Sequence, residues 1–277
     1  MKQNILYCVL ALLLGLGIVS CGSSGEKGTV VIETEMGEIH IRLYDETPKH
    51  KENFLKLARA GYYNDLLFHR VIEGFMLQGG DPDSKGATAE KVLGNGGPGY
   101  QLEAEILPQF YHKRGALAAA RLGDEMNPDR KSSGSQFYIV QGKAFSQEEM
   151  KQMAEQKGMQ QMQKLQSEFI NRPENSWYMQ LDFERLQKEN MDSLQMVRQQ
   201  LQAKFEAEFG KPAPYSFNET QMKAYTTEGG APFLDGEYTV FGEVISGMDV
   251  VDKIAAVEKG EADRPKLDIK MKVRVIE

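Results

Sequence analysis

Residues Phe68 to Asp81, FHRVIEGFMLQGGD, constrain this chain more than any other stretch. Two short runs of β-branched and aromatic residues flank Glu73-Gly74, a pattern that predicts a strand pair or one bent strand. Arg70, Phe75, Met76 and Gln78 bring a guanidinium, two large apolar side chains and an amide into one short segment. Gly79-Gly80 then lets the backbone turn sharply before Asp81. Phe, Val, Ile and Met on strands are ordinarily core, and an Arg beside them ordinarily reaches the surface. A pocket that holds an apolar ring while donating hydrogen bonds to an amide needs the same mixture.

Thr29–Glu35 and Glu38–Tyr44 alternate as strands around a tight turn at Met36-Gly37. A helix follows, with Thr47 as candidate N-cap, Pro48 in its first turn and Gly61 at its end. Phe54, Leu55, Leu57 and Ala58 give it an apolar face. Pro82 to Pro98 is Gly-rich and polar, and so a loop. Gly94-Asn95-Gly96-Gly97-Pro98-Gly99 lacks the strand-turn-helix frame of a phosphate loop and reads as a turn. Arg114 to Arg121 is a strand of small residues that another backbone can approach closely. Ser133–Val140 and Phe233–Val244 add further strand signals, Gly247–Val257 reads as a closing helix, and Leu267–Ile276 as a last alternating strand.

The order of residues in FHRVIEGFMLQGGD, in SGSQFYIV from Ser133 and in FLDGEYTVFGEV from Phe233 resembles the signatures of the cyclophilin family of peptidyl-prolyl isomerases. The resemblance implies a mainly β fold, a closed antiparallel β-barrel with two capping helices. It also implies a catalytic Arg70. The matching substrate-binding positions are Phe75, Met76, Tyr138, Leu234 and Tyr238 around the prolyl ring, with Ala120, Arg121 and Gln136 facing the peptide backbone. Gln78 would orient Arg70 or a substrate carbonyl. Three positions depart from the family pattern: Tyr138 replaces a Phe, Tyr238 stands where many relatives carry His, and Phe233 replaces a Trp.

Those residue types suit the reaction. Rotation about a peptide bond breaks amide conjugation against a barrier of about 18–20 kcal/mol. Prolyl bonds populate both isomers and exchange slowly enough to limit folding. A fixed donor beside the twisted amide nitrogen lowers that barrier with no proton transfer, nucleophile or cofactor, and a guanidinium stays charged at any working pH. His40, His50, His69 and His112 lack tight metal-ligand spacing, so no metal site is expected, and His69 reads as a buried residue.

Between the second and third signatures, residues 146–227 interrupt the family pattern. Ser146 with Glu149, and Ser216 with Glu219, have capping-box spacing. Met150, Met153, Met162, Leu165 and Phe169 recur at helical spacing, as do Leu194, Val197, Leu201 and Phe205. Asn171-Arg172-Pro173 and Gly210-Lys211-Pro212 end these two helices. The segment predicts an inserted α-helical hairpin or small bundle within a barrel formed by residues 29–145 and 228–277. Its Met residues suit a core seam or an adaptable surface for unfolded chains.

Met1–Ser20 carries Lys2 and an apolar run from Ile5 to Val19, about fifteen residues and short for a membrane span. Ile18-Val19-Ser20-Cys21 resembles a bacterial lipobox, so residues 1–20 are expected to be a signal peptide, Cys21 a lipidated terminus and 21–28 a tether. Cys8 and Cys21 are the cysteines of the chain, which leaves no free thiol after such processing. A net charge of −7 gives no basic surface for nucleic acid. The expected setting is the periplasmic side of the cell envelope, with membrane contact through the lipid alone. The expected partners are unfolded or extended proline-containing polypeptides. The rival expectation is a holdase that grips clients through the helical insert, with isomerisation incidental.

Overall fold

The computed structural model describes residues 28–276 apart from 182, 183, 186, 188–190, 211 and 212; the leader and Cys21 lie outside the described residues. β1 (Thr29–Thr34) and β2 (Gly37–Leu43) form the first hairpin, followed by α1 (Pro48–Arg59). The central stretch supplies β3 (Leu66–Leu67), β4 (Arg70–Ile72) and β5 (Met76–Gly79). β6 (Gln101–Leu102), β7 (Ala116–Ala119), β8 (Ser132–Ser133) and β9 (Phe137–Val140) come next. The helical segment holds α2 (Gln147–Ile170), α3 (Ser176–Met179), α4 (Met191–Phe209) and α5 (Glu219–Thr227). β10 (Val240–Ser246), α6 (Met248–Ala255) and β11 (Lys270–Ile276) complete the described chain.

Nine strands form one antiparallel sheet in the order β3-β11-β1-β2-β10-β7-β9-β5-β4, while β6 pairs with β8. The two edges of the large sheet come from one piece of chain, with only Phe68 and His69 between β3 and β4. Among the described residues no β3–β4 ladder joins them, so the closed barrel expected from the sequence is corrected to a strongly curled open sheet. Phe68 and His69 carry the chain across that seam, so the two edges are bridged by the backbone itself and not by a hydrogen-bonded ladder.

Period-2 alternation divides the sheet into two faces. Val71, Leu77, Ile139 and Leu117 lie opposite one another across β4, β5, β9 and β7. They join the main core with the apolar faces of α1 (Phe54, Leu55, Leu57, Ala58) and α6 (Val250, Val251, Ile254, Ala255). Thr47 occupies the N-cap of α1 but makes no capping bond. Glu105 does so instead, accepting from the Lys49 and His50 amides at 3.1 and 3.0 Å and meeting His50 Nδ1 at 2.6 Å.

The helical segment has two small cores. Near the sheet, Phe145, Met150, Phe217 and Tyr225 pack with Tyr111 and Met153. Farther along, Phe169, Leu201 and Phe205 pack with Met162, Leu165 and Trp177. The Ser146–Glu149 capping box forms as expected. At α5 the box is formed by Asn218 and Gln221, two residues beyond the expected Ser216–Glu219 pair. The Asn218 amide carbonyl and the Gln221 side chain satisfy each other's backbone N–H at 2.9 and 3.0 Å.

Candidate active site

The other face of the sheet carries the site. β4 and β5 form a hairpin in which Phe75 N donates to Ile72 O at 3.1 Å and Gly74 takes a left-handed φ of 74°. Its register sets Arg70 opposite Gln78, and β9 sets Tyr138 opposite Gln78, with Ala118 opposite Tyr138 on β7. Directly opposed residues share a face. A guanidinium, an amide and a phenol therefore stand in one row, neighboured by Ile72, Met76 and Val140 two residues along their strands.

Around that row lies an apolar cluster. Met76 and Tyr138 are buried at its base, and Phe75, Ala120, Leu234 and Tyr238 pack against it half-buried. Phe233 is 49% exposed and tilts against Phe75, ring centroids 5.3 Å apart. Tyr238 meets Tyr138 edge-on at 5.9 Å. The Arg121 guanidinium sits 4.6 Å over the Tyr238 ring and is tied to the Glu237 carbonyl at 2.8 Å and to Asp124 at 2.6 Å. Only 5% of that side chain is exposed, so its guanidinium braces the cluster.

Gln78 and Gln136 link the row to the Gly-rich turn. Gln136 Nε2 donates to the carbonyls of Gly94 and Gly96 at 2.9 and 2.8 Å, which leaves its Oε1 to accept from Gln78 Nε2 at 3.0 Å. Both amide orientations follow from that sequence of bonds. The buried Asp81 carboxylate holds the same turn, accepting from the Gly94, Gly96 and Asp83 amides. A Cβ on Gly96 would lie 2.1 Å from Asp81 Oδ1, so this position requires glycine. A cleft of about 730 Å³ lies here, lined by Gln78, Gly96, Tyr100, Ala120, Arg121 and Gln136. A second, of about 410 Å³, lies between His69, Arg70 and Gln78 and the residues Glu90 to Asn95 and Glu261 to Arg264.

Arg70 is exposed, its Nε 3.5 Å from Asp263 Oδ2. Ala262 and Asp263 both have left-handed φ values, 53° and 59°, strained for non-glycine residues. His69 is buried as expected; burial holds its imidazole below the usual range, against the pull of the Asp81 charge. Among the described residues no group of His, Cys, Asp or Glu could hold a metal, and no helix is long and apolar enough to cross a membrane.

Sequence reasoning missed a buried polar set behind the cluster. His112 Nε2 meets the Tyr138 hydroxyl at 3.0 Å, and His112 Nδ1 meets Asp235 Oδ1 at 3.0 Å. Asp235 Oδ2 accepts from the Tyr225 hydroxyl at 2.7 Å. Burial raises the Tyr138 phenol well above its ordinary range, with Tyr238 and Asp235 adding to the shift. Tyr138 in place of the family Phe was the signal: a buried hydroxyl requires a partner.

The sequence profile described as cyclophilin type peptidyl-prolyl cis-trans isomerase/CLD matches residues 29–167 and 140–275. A Staphylococcus saprophyticus protein carrying the name peptidyl-prolyl cis-trans isomerase is 30% identical over 247 residues, which is 89% of this chain and 90% of that protein. A Streptococcus pyogenes protein named as a bifunctional phosphatase/peptidyl-prolyl cis-trans isomerase is 30% identical over 243 residues, 87% of this chain but 37% of the longer relative. A Cryptosporidium parvum cyclophilin crystallised in the presence of the dipeptide Ala-Pro superposes with a TM-score of 0.51 at 21% identity, covering 90% of this chain and 99% of that one. Profile and relatives agree with one another, the fold is that of a solved cyclophilin, and this chain belongs to the cyclophilin-type peptidyl-prolyl cis-trans isomerases.

Proposed function

We propose that this isomerase assists the folding of exported proteins in the bacterial cell envelope, acting on unfolded or extended proline-containing chains. The observation that carries the site assignment is the cross-strand pair Arg70–Gln78 beside the Phe75, Met76, Tyr138, Leu234 and Tyr238 cluster. The prolyl ring rests on that cluster. Arg70 donates toward the proline nitrogen as it pyramidalises, favouring the twisted amide over either planar form. Gln78, its Nε2 committed to Gln136, keeps its carbonyl oxygen for Arg70 or the substrate. Ala120, Arg121 and Gln136 border the cleft along which an extended peptide lies.

The envelope setting rests on the lipobox-like Cys21 and the apolar leader. Residues 29–145 and 228–277 form the isomerase body and 146–227 an inserted helical subdomain. Arg70→Ala is expected to lower kcat/KM for a short prolyl peptide by about 100-fold, since preorganised donors contribute on that scale. An unchanged rate in a folded variant sinks the assignment. Acyl labelling of the full chain that persists in Cys21→Ala would refute the lipid anchor.

A second reading has its own support. Met159, Met179, Met191 and Met196 are 51–63% exposed on or beside the helices, and exposed methionines suit adaptable binding of varied apolar segments. Replacing them with Gln should weaken suppression of client aggregation and leave peptide turnover intact if the segment also holds clients.

A further inference from the structure

The helical segment reaches the site through buried polar groups. Lys157, on α2, is 8% exposed, and its ammonium donates to the main-chain carbonyls of Asp235 at 2.7 Å and Phe233 at 3.3 Å. A buried ammonium ordinarily pairs with a carboxylate, because leaving water is costly. Here it is applied to the backbone of the turn that carries Leu234. On α5, the Tyr225 hydroxyl donates to Asp235 Oδ2 at 2.7 Å, and Gln221 Nε2 reaches the same oxygen at 3.4 Å. The other oxygen, Oδ1, accepts from His112 N at 2.9 Å and faces His112 Nδ1. One carboxylate thus divides its oxygens between α5 and the histidine behind the Tyr138 ring.

We propose that Lys157 and Tyr225 are positioning residues of the isomerase site: they hold the Phe233–Tyr238 segment, so the helical segment sets how tightly Leu234 and Tyr238 close on the prolyl ring. This rests on the assignment of Leu234 and Tyr238 to ring binding. Burial lowers the Lys157 pKa, and the Asp235 and Glu237 charges oppose that shift.

The full chain, assayed with a short prolyl peptide, tests the proposal. Lys157→Met keeps the stem and deletes both bonds; kcat/KM should fall by about fivefold, mainly through KM, with partial recovery in Lys157→Arg. Tyr225→Phe deletes one oxygen and should cost about threefold. It carries the test should Lys157→Met not fold. Phe205→Ala, which disturbs the distal helical core, should leave kcat/KM at the parental value. Hydrogen exchange of the amides from Leu234 to Tyr238 should quicken in Lys157→Met and Tyr225→Phe alone. Parental exchange and parental KM in these two variants overturn the proposal. Faster exchange with parental KM places the fault in the ring-binding assignment if Leu234→Ala also keeps its KM; if Leu234→Ala raises KM, that result overturns the positioning role.

Discussion

Tyr138 and His112 share a buried hydrogen bond, Oη and Nε2 3.0 Å apart, with their rings stacked at 6.0 Å and 12°. His112 Nδ1 faces a carboxylate, so in the neutral imidazole Nδ1 donates to Asp235 and Nε2 accepts from the phenol. The hydroxyl is therefore a structural group, committed to His112 behind the apolar cluster proposed to hold the prolyl ring. Tyr138→Phe should leave Nε2 buried and unpaired and destabilise the fold by about 1–3 kcal/mol. Peptide turnover should stay within about threefold, because the aromatic floor remains. Urea unfolding and the peptide assay check both halves. Unchanged stability would mean that the bond contributes nothing net.

Mild acid should weaken the fold before any carboxylate does. Burial lowers the His50 and His69 pKa values below 6.5, although Glu105 and Asp81 respectively pull the other way. Below pH 6.5 the unfolded chain binds protons that the folded chain refuses, so stability falls as pH drops toward the folded values. The lowered carboxylates Asp124, Glu243 and Asp252 start from 3.8 to 4.5 when unfolded, so their contributions persist down to that range. Urea midpoints should therefore decline between about pH 7 and 5, and His69→Asn should flatten part of the slope. An equal slope in that variant would remove His69 from the account.

The sequence was legible where a signature carried both pattern and chemistry. The strand pair read around Glu73-Gly74 forms as the β4–β5 hairpin, with Val71 and Leu77 in the core and Arg70 and Gln78 on the other face. Long-range polar pairings were not legible. Glu105 caps α1 from a distant loop in place of the local Thr47. Asp235 lies inside the third signature, yet its partners come from two separate segments, His112 from the loop before β7 and Gln221 and Tyr225 from α5. Neither pair is marked by a spacing. The open sheet was missed for a similar reason, since strand alternation is the same in an open and a closed sheet.

Asp81 should matter to turnover without touching substrate. Its carboxylate is fully buried and collects the amides of Asp83, Gly94 and Gly96. Those glycine carbonyls are the ones that fix Gln136, which in turn fixes Gln78. Asp81→Ala strands buried donors and should cost about 2–4 kcal/mol of stability. In the folded fraction kcat/KM should fall by about tenfold as Gln78 loses its fixed partner. Stability lost with the rate per folded molecule unchanged would break the link from turn to amide.

Gly80 is the tightest backbone crossing beneath the site. Its φ is 88°, and a Cβ there would lie 2.2 Å from the Ser135 carbonyl oxygen and 3.0 Å from Gln136 Cα. Both neighbours are backbone, so relief requires moving the chain that enters β9 rather than rotating a side chain. Gly86 provides the comparison: its φ is 65°, but a methyl group added there would meet nothing within 4 Å. Gly86→Ala should therefore cost about 1 kcal/mol, the conformational penalty alone. Gly80→Ala should cost at least about 3 kcal/mol, because steric displacement adds to that penalty. It should also lower kcat/KM, since the displaced segment carries Gln136 and leads into Tyr138. Equal costs for the two variants in urea unfolding would show that the approach of Gly80 to Ser135 relaxes freely.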